Sequence, residues 1–145
     1  MGVLIDNRQT NHNLSLQRIQ ATAQALLNAL DSPDSELSIV IVGDAEMAGL
    51  NQTFRNRTGP TNVLAFPMHE GDFSDINPEL LGDVVISIDT AAREAEELGL
   101  TLDQRFDFLL IHGVLHLFGF DHETDDDAAA EMDEKTEALF KMIEG

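Results

Sequence analysis

The pattern of hydrophobic and polar positions predicts several short strands, one of them central to a sheet. Residues 2–6 form a short apolar run, and residues 37–42 carry β-branched side chains on both faces, which is typical of a central strand. Residues 83–88 predict another strand. Because proline cannot donate a hydrogen bond to a ladder, the short apolar segment between Pro60 and Pro67 is expected at the edge of the sheet.

Helices are predicted where apolar residues recur with the helical period after a start signal. These helices begin at Ser15, at Asp44, at Thr90, at the capping box of Thr101 and Gln104, and at Thr124. The helix from Thr90 is expected to end at Gly99. The second helix is expected to carry Met47, Leu50, Asn51 and Phe54 on one side. Residues 68–81 form an acidic loop that is long for a compact domain, which suggests a functional role.

The order of these elements mixes strands and helices without strict alternation. It predicts one α+β domain over residues 1–145, with a small mixed sheet of about four strands surrounded by about five helices. A chain of 145 residues, 43% of them hydrophobic, can bury a core of this kind. No repeat, linker or domain boundary interrupts the pattern.

Cysteine usage and hydrophobicity along the chain predict a cytoplasmic protein. The sequence has no cysteine, which excludes a disulfide framework and thiolate metal ligands and fits a reducing compartment. No apolar run reaches the length of a membrane span, and no basic region followed by an apolar one marks a signal peptide at the N-terminus.

The formal net charge of −19 limits the partners that the surface can attract. Eight Lys or Arg residues face 27 Asp or Glu residues, so such a surface disfavours sequence-independent coating of nucleic acid. A polyanionic substrate would need a local positive spot, such as a metal ion with a few arginines, or a basic partner. The run Asp125–Asp127 is interpreted as carboxylates that suit a helix N-terminus.

One stretch, residues 111–122, contains three of the five histidines and predicts a metal centre. His112 and His116 are four residues apart, so they lie on one face of a helix, one turn apart. Gly119 is expected to end that helix in a left-handed conformation, after which His122 can return towards the first two imidazoles. Three imidazoles with a fourth position open are typical of a catalytic Zn²⁺ site, with one ion per chain.

The spacing of these histidines is that of the metzincin proteases, with Gly113 in the place of their glutamate. A glycine cannot act as the general base that peptide hydrolysis needs. Gly113 would either keep the open side of the metal clear or let another element pack closely. Asp121 and Glu123 flank the third histidine, and we interpret Asp121 as a carboxylate that orients a histidine ligand.

Phosphodiester cleavage makes different demands, because negative charge builds up on non-bridging oxygens that a metal and a guanidinium can both stabilise. Arg55 and Arg57 are the close pair of basic residues that could serve this purpose. The alternative is a pair of solvated arginines at a helix end, where cations suit the helix dipole.

Two motifs of this chain resemble the YbeY family of bacterial rRNA-maturation factors, which are metal-dependent endoribonucleases. The first motif runs from His112 to His122, and the second joins residues 50–55 to residues 60–67; residues 81–86 are also similar to the family. The resemblance spans residues from about 37 to 143, nearly the whole chain. The departures are small, with Ala65 where the family usually has serine and Phe120 where tyrosine is common.

This resemblance implies zinc on His112, His116 and His122, with His112 also counted as catalytic, and a functional arginine at Arg55. The candidate substrate-binding residues are Arg57, Thr61 and Asn62. The resemblance further implies cleavage of single-stranded RNA, processing of 16S rRNA and ribosome quality control. The expected partners are rRNA and the small ribosomal subunit or a basic ribosomal protein, with neither DNA nor a membrane.

Two alternatives stay open at this point. A non-catalytic ribosome-assembly factor could use zinc only to order its C-terminal half, and the net charge of −19 mildly favours this reading. A zinc metalloprotease is the other alternative, against which Gly113 argues. The sequence also leaves open whether water or the substrate 2′-hydroxyl attacks the phosphate.

Overall fold

Four strands build one mixed sheet in the computed structural model, which describes residues 2–68, 80–120 and 126–144. The strands are β1 (Val3–Asn7), β2 (Glu36–Val42), β3 (Val63–Pro67) and β4 (Leu80–Ser87). Their order across the sheet is β1-β2-β4-β3, with β1, β2 and β4 parallel and β3 antiparallel to β4. This confirms the central position of β2 and the edge position of β3.

Five helices within the described residues accompany this sheet and confirm the predicted α+β class. They are α1 (Leu16–Ala29), α2 (Asp44–Arg55), α3 (Ile88–Leu98), α4 (Leu102–Leu117) and α5 (Asp126–Glu144). The Ser15 hydroxyl accepts a hydrogen bond from the Arg18 amide, and Thr101 with Gln104 forms the predicted capping box. The predicted cap Thr124 lies outside the described residues.

Both ends of β4 differ from the predicted strand over residues 83–88. The strand expected to end at Ile88 ends one residue earlier, because the Ser87 hydroxyl accepts from the Thr90 amide and caps α3. The same strand also begins earlier, at Leu80, inside the segment that was expected to be loop. The left-handed Gly99 ends α3 as predicted.

The two faces of the sheet carry different helices. Val84 belongs to the main core, which α1, α4 and α5 cover, whereas the next residue, Val85, packs with Met47 of α2 in a second, smaller core. Because successive side chains of a strand point to opposite faces, α2 and α4 lie on opposite sides of the sheet. The edge strand β3 contributes to both cores.

Polar contacts at the carboxyl ends of β2 and β4 fix the start of α2 to the start of α3. The Asp44 carboxylate accepts hydrogen bonds from the hydroxyls of Ser87 and Thr90 at 2.7 and 2.6 Å and from Arg93 at 2.6 Å. Burial raises the pKa of Asp44, but these hydrogen bonds outweigh it and hold that pKa below its usual value. No helix in the described part of the chain is long and apolar enough to cross a membrane.

Candidate active site

Helix α4 presents the two predicted imidazoles on one face. The ring centroids of His112 and His116 are 5.0 Å apart with 73° between the ring planes, and both side chains are half-buried. The predicted partners His122 and Asp121 lie outside the described residues. Within residues 2–68, 80–120 and 126–144 no group of three or more ligand side chains forms, so the described part of the site consists of these two histidines.

Helix α4 ends at a left-handed Gly119, as the sequence predicted. Gly119 has a φ of +96°, its amide donates to the His116 carbonyl at 3.0 Å, and the Phe120 amide donates to the Leu115 carbonyl at 3.0 Å. This pair of hydrogen bonds is a Schellman motif, in which the chain leaves the helix by turning back over its last turn. Phe120, the last described residue before His122, packs against the main core.

Gly113 faces the sheet and not an open space. A Cβ atom at this position would lie 2.7 Å from Val84 Cγ1 and 3.2 Å from Val63 Cγ2, both closer than ordinary van der Waals contact. Of the two interpretations of Gly113, the structure therefore favours close packing. A glutamate here would be directed into the sheet, so this helix position cannot supply the base of a protease.

The edge strand β3 runs beside the histidine face of α4. Val63 lies against Gly113. Pro67 pairs with Gly82 of β4, where an added Cβ atom would lie 3.0 Å from Leu117 Cδ2 at the end of α4. Ala65, between these two contacts, faces the main core beside α4. The side chain at the position where a serine was expected therefore faces the helix that carries the histidines.

The predicted arginines lie at the C-terminal end of α2, where the chain leaves this helix and runs towards β3. Arg55 is the last residue of α2, and both Arg55 and Arg57 are exposed. Asn56 ends the helix in a left-handed conformation with a φ of +55°. The Arg57 amide donates to the Asn51 carbonyl at 3.3 Å, so the backbone between the two arginines is folded against the last turn of the helix.

Asn51 holds the same loop through its side chain, a role that sequence reasoning missed. The Asn51 Nδ2 group donates to the Gly59 carbonyl at 2.8 Å, and the residue is only 4% exposed. Its Oδ1 atom has no hydrogen-bond partner among the described residues. A polar residue on the otherwise apolar stripe of a predicted helix was the signal that could have indicated this anchor.

The candidate substrate-binding residues Thr61 and Asn62 directly precede β3, and both are half-buried. The side-chain Nδ2 group of Asn62 donates to both oxygens of the Glu94 carboxylate at 3.2 Å, and Arg105 of α4 contacts the same carboxylate at 2.9 Å. Asn62 thus joins the start of β3 to α3 and α4. Its predicted role in binding substrate stays a prediction.

Arg105 extends this network towards α5. Its guanidinium lies 4.9 Å from the centre of the Phe108 ring, and Phe108 meets Phe140 edge to face at 5.8 Å. Arg105, Phe108 and His112 are spaced by three and four residues along α4, so they share one face of the helix. The loop before β3 and the histidine helix are therefore held by a continuous set of contacts.

Known proteins resemble this chain over nearly its whole length. The sequence model of the YbeY family, described as endoribonuclease YbeY, matches residues 4–144. The chain belongs to the YbeY family. Proteins named endoribonuclease YbeY from Geobacter sulfurreducens and Syntrophotalea carbinolica are 48% and 45% identical to it, and in both cases the match covers 99% of this chain and 97% of the relative.

A solved structure agrees with the fold of this YbeY family member. The solution structure of TM1509 from Thermotoga maritima matches with a TM-score of 0.65 and 26% identity, over 97% of this chain and 89% of that one. The family description and the names of these relatives specify an endoribonuclease, a hydrolase of RNA phosphodiester bonds. The metalloprotease alternative is thereby set aside.

Proposed function

We propose that this protein is a zinc-dependent endoribonuclease that cleaves single-stranded RNA during the maturation of rRNA in the cytoplasm. The observation that supports it most is the paired imidazole face of α4, placed beside the edge strand of a chain whose family is described as endoribonuclease. Arg55 ends α2, and Arg57 lies in the segment that leads from α2 to this edge strand.

The two described imidazoles suit a zinc ion. His112 and His116 are half-buried, one helical turn apart, and their ring centroids are 5.0 Å apart, which lets one ring nitrogen of each reach a common ion about 2.0–2.1 Å away. Neutral imidazole nitrogen is a preferred donor for this metal. We propose His122 as the third ligand and Asp121 as a carboxylate that orients one of the histidines.

When bound, such an ion acidifies a water molecule and polarises a phosphoryl oxygen. The residues of the chain then position the RNA. Arg55 would bind the scissile phosphate through its planar guanidinium, which can pair with two oxygens at once. Arg57, Thr61 and Asn62 would contact the neighbouring backbone, and their loop is already held by Asn51 and Glu94.

The charge of the molecule supports a ribosomal partner. With a net charge of −19, the surface as a whole repels RNA, so a local arginine site has to be brought to its target. A basic ribosomal protein of the small subunit would provide that attraction. We propose that this partner docks the enzyme near its rRNA substrate and that the same association serves ribosome quality control.

The function is tested by measuring metal content and cleavage on the same purified sample of each protein. Metal content is measured together with cleavage of single-stranded RNA and of a peptide, for the unmodified protein, for His116→Ala and for His12→Ala. His12 is the matched control because its imidazole lies 3.2 Å from Asp89 of α3 and it is not one of the predicted ligands. We expect one zinc ion per chain and RNA cleavage that His116→Ala abolishes and His12→Ala retains.

Two results would contradict the proposal. Stoichiometric zinc in the double variant His112→Ala/His116→Ala would show that these residues are not the ligands. Zinc that is bound and lost as expected, without any cleavage of RNA, would favour the non-catalytic assembly factor.

A further inference from the structure

The apolar stripe of α2 becomes exposed towards its C-terminal end. Met47 is fully buried and Asn51 is 4% exposed, but Phe54, on the same side of the helix, is 62% exposed. The last turn of α2 therefore extends past the cover of the sheet. A single exposed apolar side chain is common, but Phe54 becomes informative if other apolar side chains adjoin it to form a patch.

The Phe54 ring is held in place from one side. It meets the Phe66 ring edge to face, with 5.2 Å between centroids and 67° between planes. Phe66 belongs to β3, and Met68, the residue that follows the last residue of β3, is 42% exposed. Phe54, Phe66 and Met68 are apolar residues at the β3 edge of the sheet formed by the described strands, and we call them the edge surface.

The edge surface adjoins positive charge that is scarce elsewhere in the molecule. Arg55 follows Phe54 directly, and Arg57 follows after the left-handed Asn56. Four other arginines contact carboxylates at 2.6–2.9 Å; they are Arg8, Arg18, Arg93 and Arg105. No ion pair of Arg57 occurs among the described residues, so its charge is available to a ligand.

We propose that Phe54, supported by Phe66, stacks on an unpaired base of the RNA substrate while the neighbouring arginines contact its backbone. An aromatic face beside cationic side chains is the arrangement with which proteins bind single strands. Bases within a duplex are already stacked and cannot reach Phe54. The edge surface thus provides a preference for single strands, an inference that rests on the proposed function.

A protein partner is the less favoured occupant. An apolar docking site for a basic ribosomal protein would be flanked by carboxylates, whereas the edge surface is followed by two arginines. Phosphate groups match those arginines, and base rings match Phe54. The charge next to the edge surface therefore fits RNA better than a basic protein.

The test compares three replacements of Phe54 with one control. Phe54→Ala removes the ring, Phe54→Leu keeps apolar contact with Phe66 without a flat face, and Phe54→Tyr keeps the face. Leu98→Ala is the control, because Leu98 is a similarly exposed apolar residue, at 57%, at the end of α3. Binding and cleavage of a single-stranded oligonucleotide, of the same strand with single abasic positions, and of a duplex are measured for each zinc-loaded protein.

We expect Phe54→Ala and Phe54→Leu to raise the Kd and KM for the single strand about 5- to 150-fold, the loss of one stacked base. Phe54→Tyr and Leu98→Ala should stay close to the unmodified protein, and kcat should change less than KM. An abasic position in the contacted nucleotide should weaken binding to the unmodified protein, but it should not weaken binding to Phe54→Ala further.

Equal effects of Phe54→Ala and Leu98→Ala, or an abasic effect that persists in Phe54→Ala, would overturn the inference. So would loss of binding to the small ribosomal subunit with unchanged affinity for RNA, which would assign the edge surface to a protein. Base-dependent binding through Phe54 in a protein that cleaves no RNA would support the inference and contradict the proposed enzyme activity.

Discussion

At the scale of single residues, Gly113 determines how closely the histidine helix approaches the sheet. Gly113→Ala should destabilise the protein by about 1–3 kcal/mol, because its Cβ would lie 2.7 Å from Val84 Cγ1, although alanine favours helix by roughly 1 kcal/mol. Gly49 is the matched control, an exposed glycine of α2 with no neighbour within 4 Å of an added Cβ.

Gly49→Ala should stabilise the protein by about 0.5–1 kcal/mol, so the two replacements should have opposite signs in urea unfolding. A stabilising Gly113→Ala would show that Val84 and Val63 yield without loss. The close approach of α4 to the sheet would then not be the reason for glycine at this position.

The role of Arg55 is also tested at the residue scale. The guanidinium should bind the phosphate most strongly when negative charge builds up on it in the transition state. Arg55→Ala should therefore retain its zinc and its fold, but cleave RNA on the order of a hundredfold more slowly. Arg57→Ala should cost much less and act mainly through salt-sensitive binding. Measured values of kcat, KM and zinc content separate these effects.

Arg55→Lys refines this experiment, since it keeps the charge but loses the planar fork. A rate close to that of Arg55→Ala would indicate a bidentate contact, and a rate close to that of the unmodified protein would indicate charge alone. Equal and small losses in Arg55→Ala and Arg57→Ala would mean that the arginines only attract RNA.

The sequence predicted the chemistry of individual residues better than their surroundings. The four-residue spacing of His112 and His116 was sufficient to place both rings on one face of a helix. The reason for Gly113 was left undecided, because the atoms that exclude a side chain belong to β3 and β4, which are distant in the chain. Packing between such elements cannot be read from local periodicity.

At the scale of elements, the connection between α2 and β3 depends on Asn51. Asn51→Asp replaces the amide that donates to the Gly59 carbonyl with a carboxylate that repels it, and it should destabilise the protein by about 1–3 kcal/mol. RNA cleavage should fall as well, because the loop carries Arg57 and leads to Asn62. Asn13→Asp, an exposed asparagine of another loop, provides the control for added charge.

Unfolding in urea and the KM for single-stranded RNA are the two measurements for this variant. An Asn51→Asp protein with a lower unfolding free energy but an unchanged KM would separate the anchor from substrate binding. A variant indistinguishable from Asn13→Asp in both respects would contradict the role of the Gly59 hydrogen bond.

Local sequence signals also located the elements themselves. The capping box of Thr101 and Gln104, the cap at Ser15 and the left-handed Gly99 are local interactions, and all three were predicted correctly. The boundary at Ile88 was wrong because an apolar β-branched residue suits a strand, while the Ser87 cap begins a helix there. The strand order β1-β2-β4-β3 arises from tertiary packing and has no local signature.

At the scale of the whole molecule, the carboxylate of Asp107 is buried where helices pack together. Asp107 of α4 is 1% exposed, and Arg18 of α1 donates to both of its oxygens at 2.9 Å. Burial, together with a hydrogen bond to Glu144, raises the pKa of Asp107 to about 7, while Arg18 opposes the rise. Arg18 of α1 and Glu144 of α5 thus meet at the carboxyl group of Asp107 on α4, and this group titrates near neutral pH.

This raised pKa should make stability depend on pH in a defined direction. Between about pH 4 and 7 the folded protein holds a proton on Asp107 that the unfolded chain has released, so the free energy of unfolding should fall as pH rises, by at most about 1.4 kcal/mol per pH unit.

Asp107→Asn removes that titration. Urea unfolding at several pH values should therefore show a smaller fall for Asp107→Asn than for the unmodified protein, although Arg18 loses its counter-charge. Asp103→Asn, whose carboxylate contacts the same guanidinium at 3.4 Å but is over half exposed, is the matched control. Parallel pH curves for the unmodified protein and Asp107→Asn would contradict a proton held in the core, because the two proteins differ in that group alone.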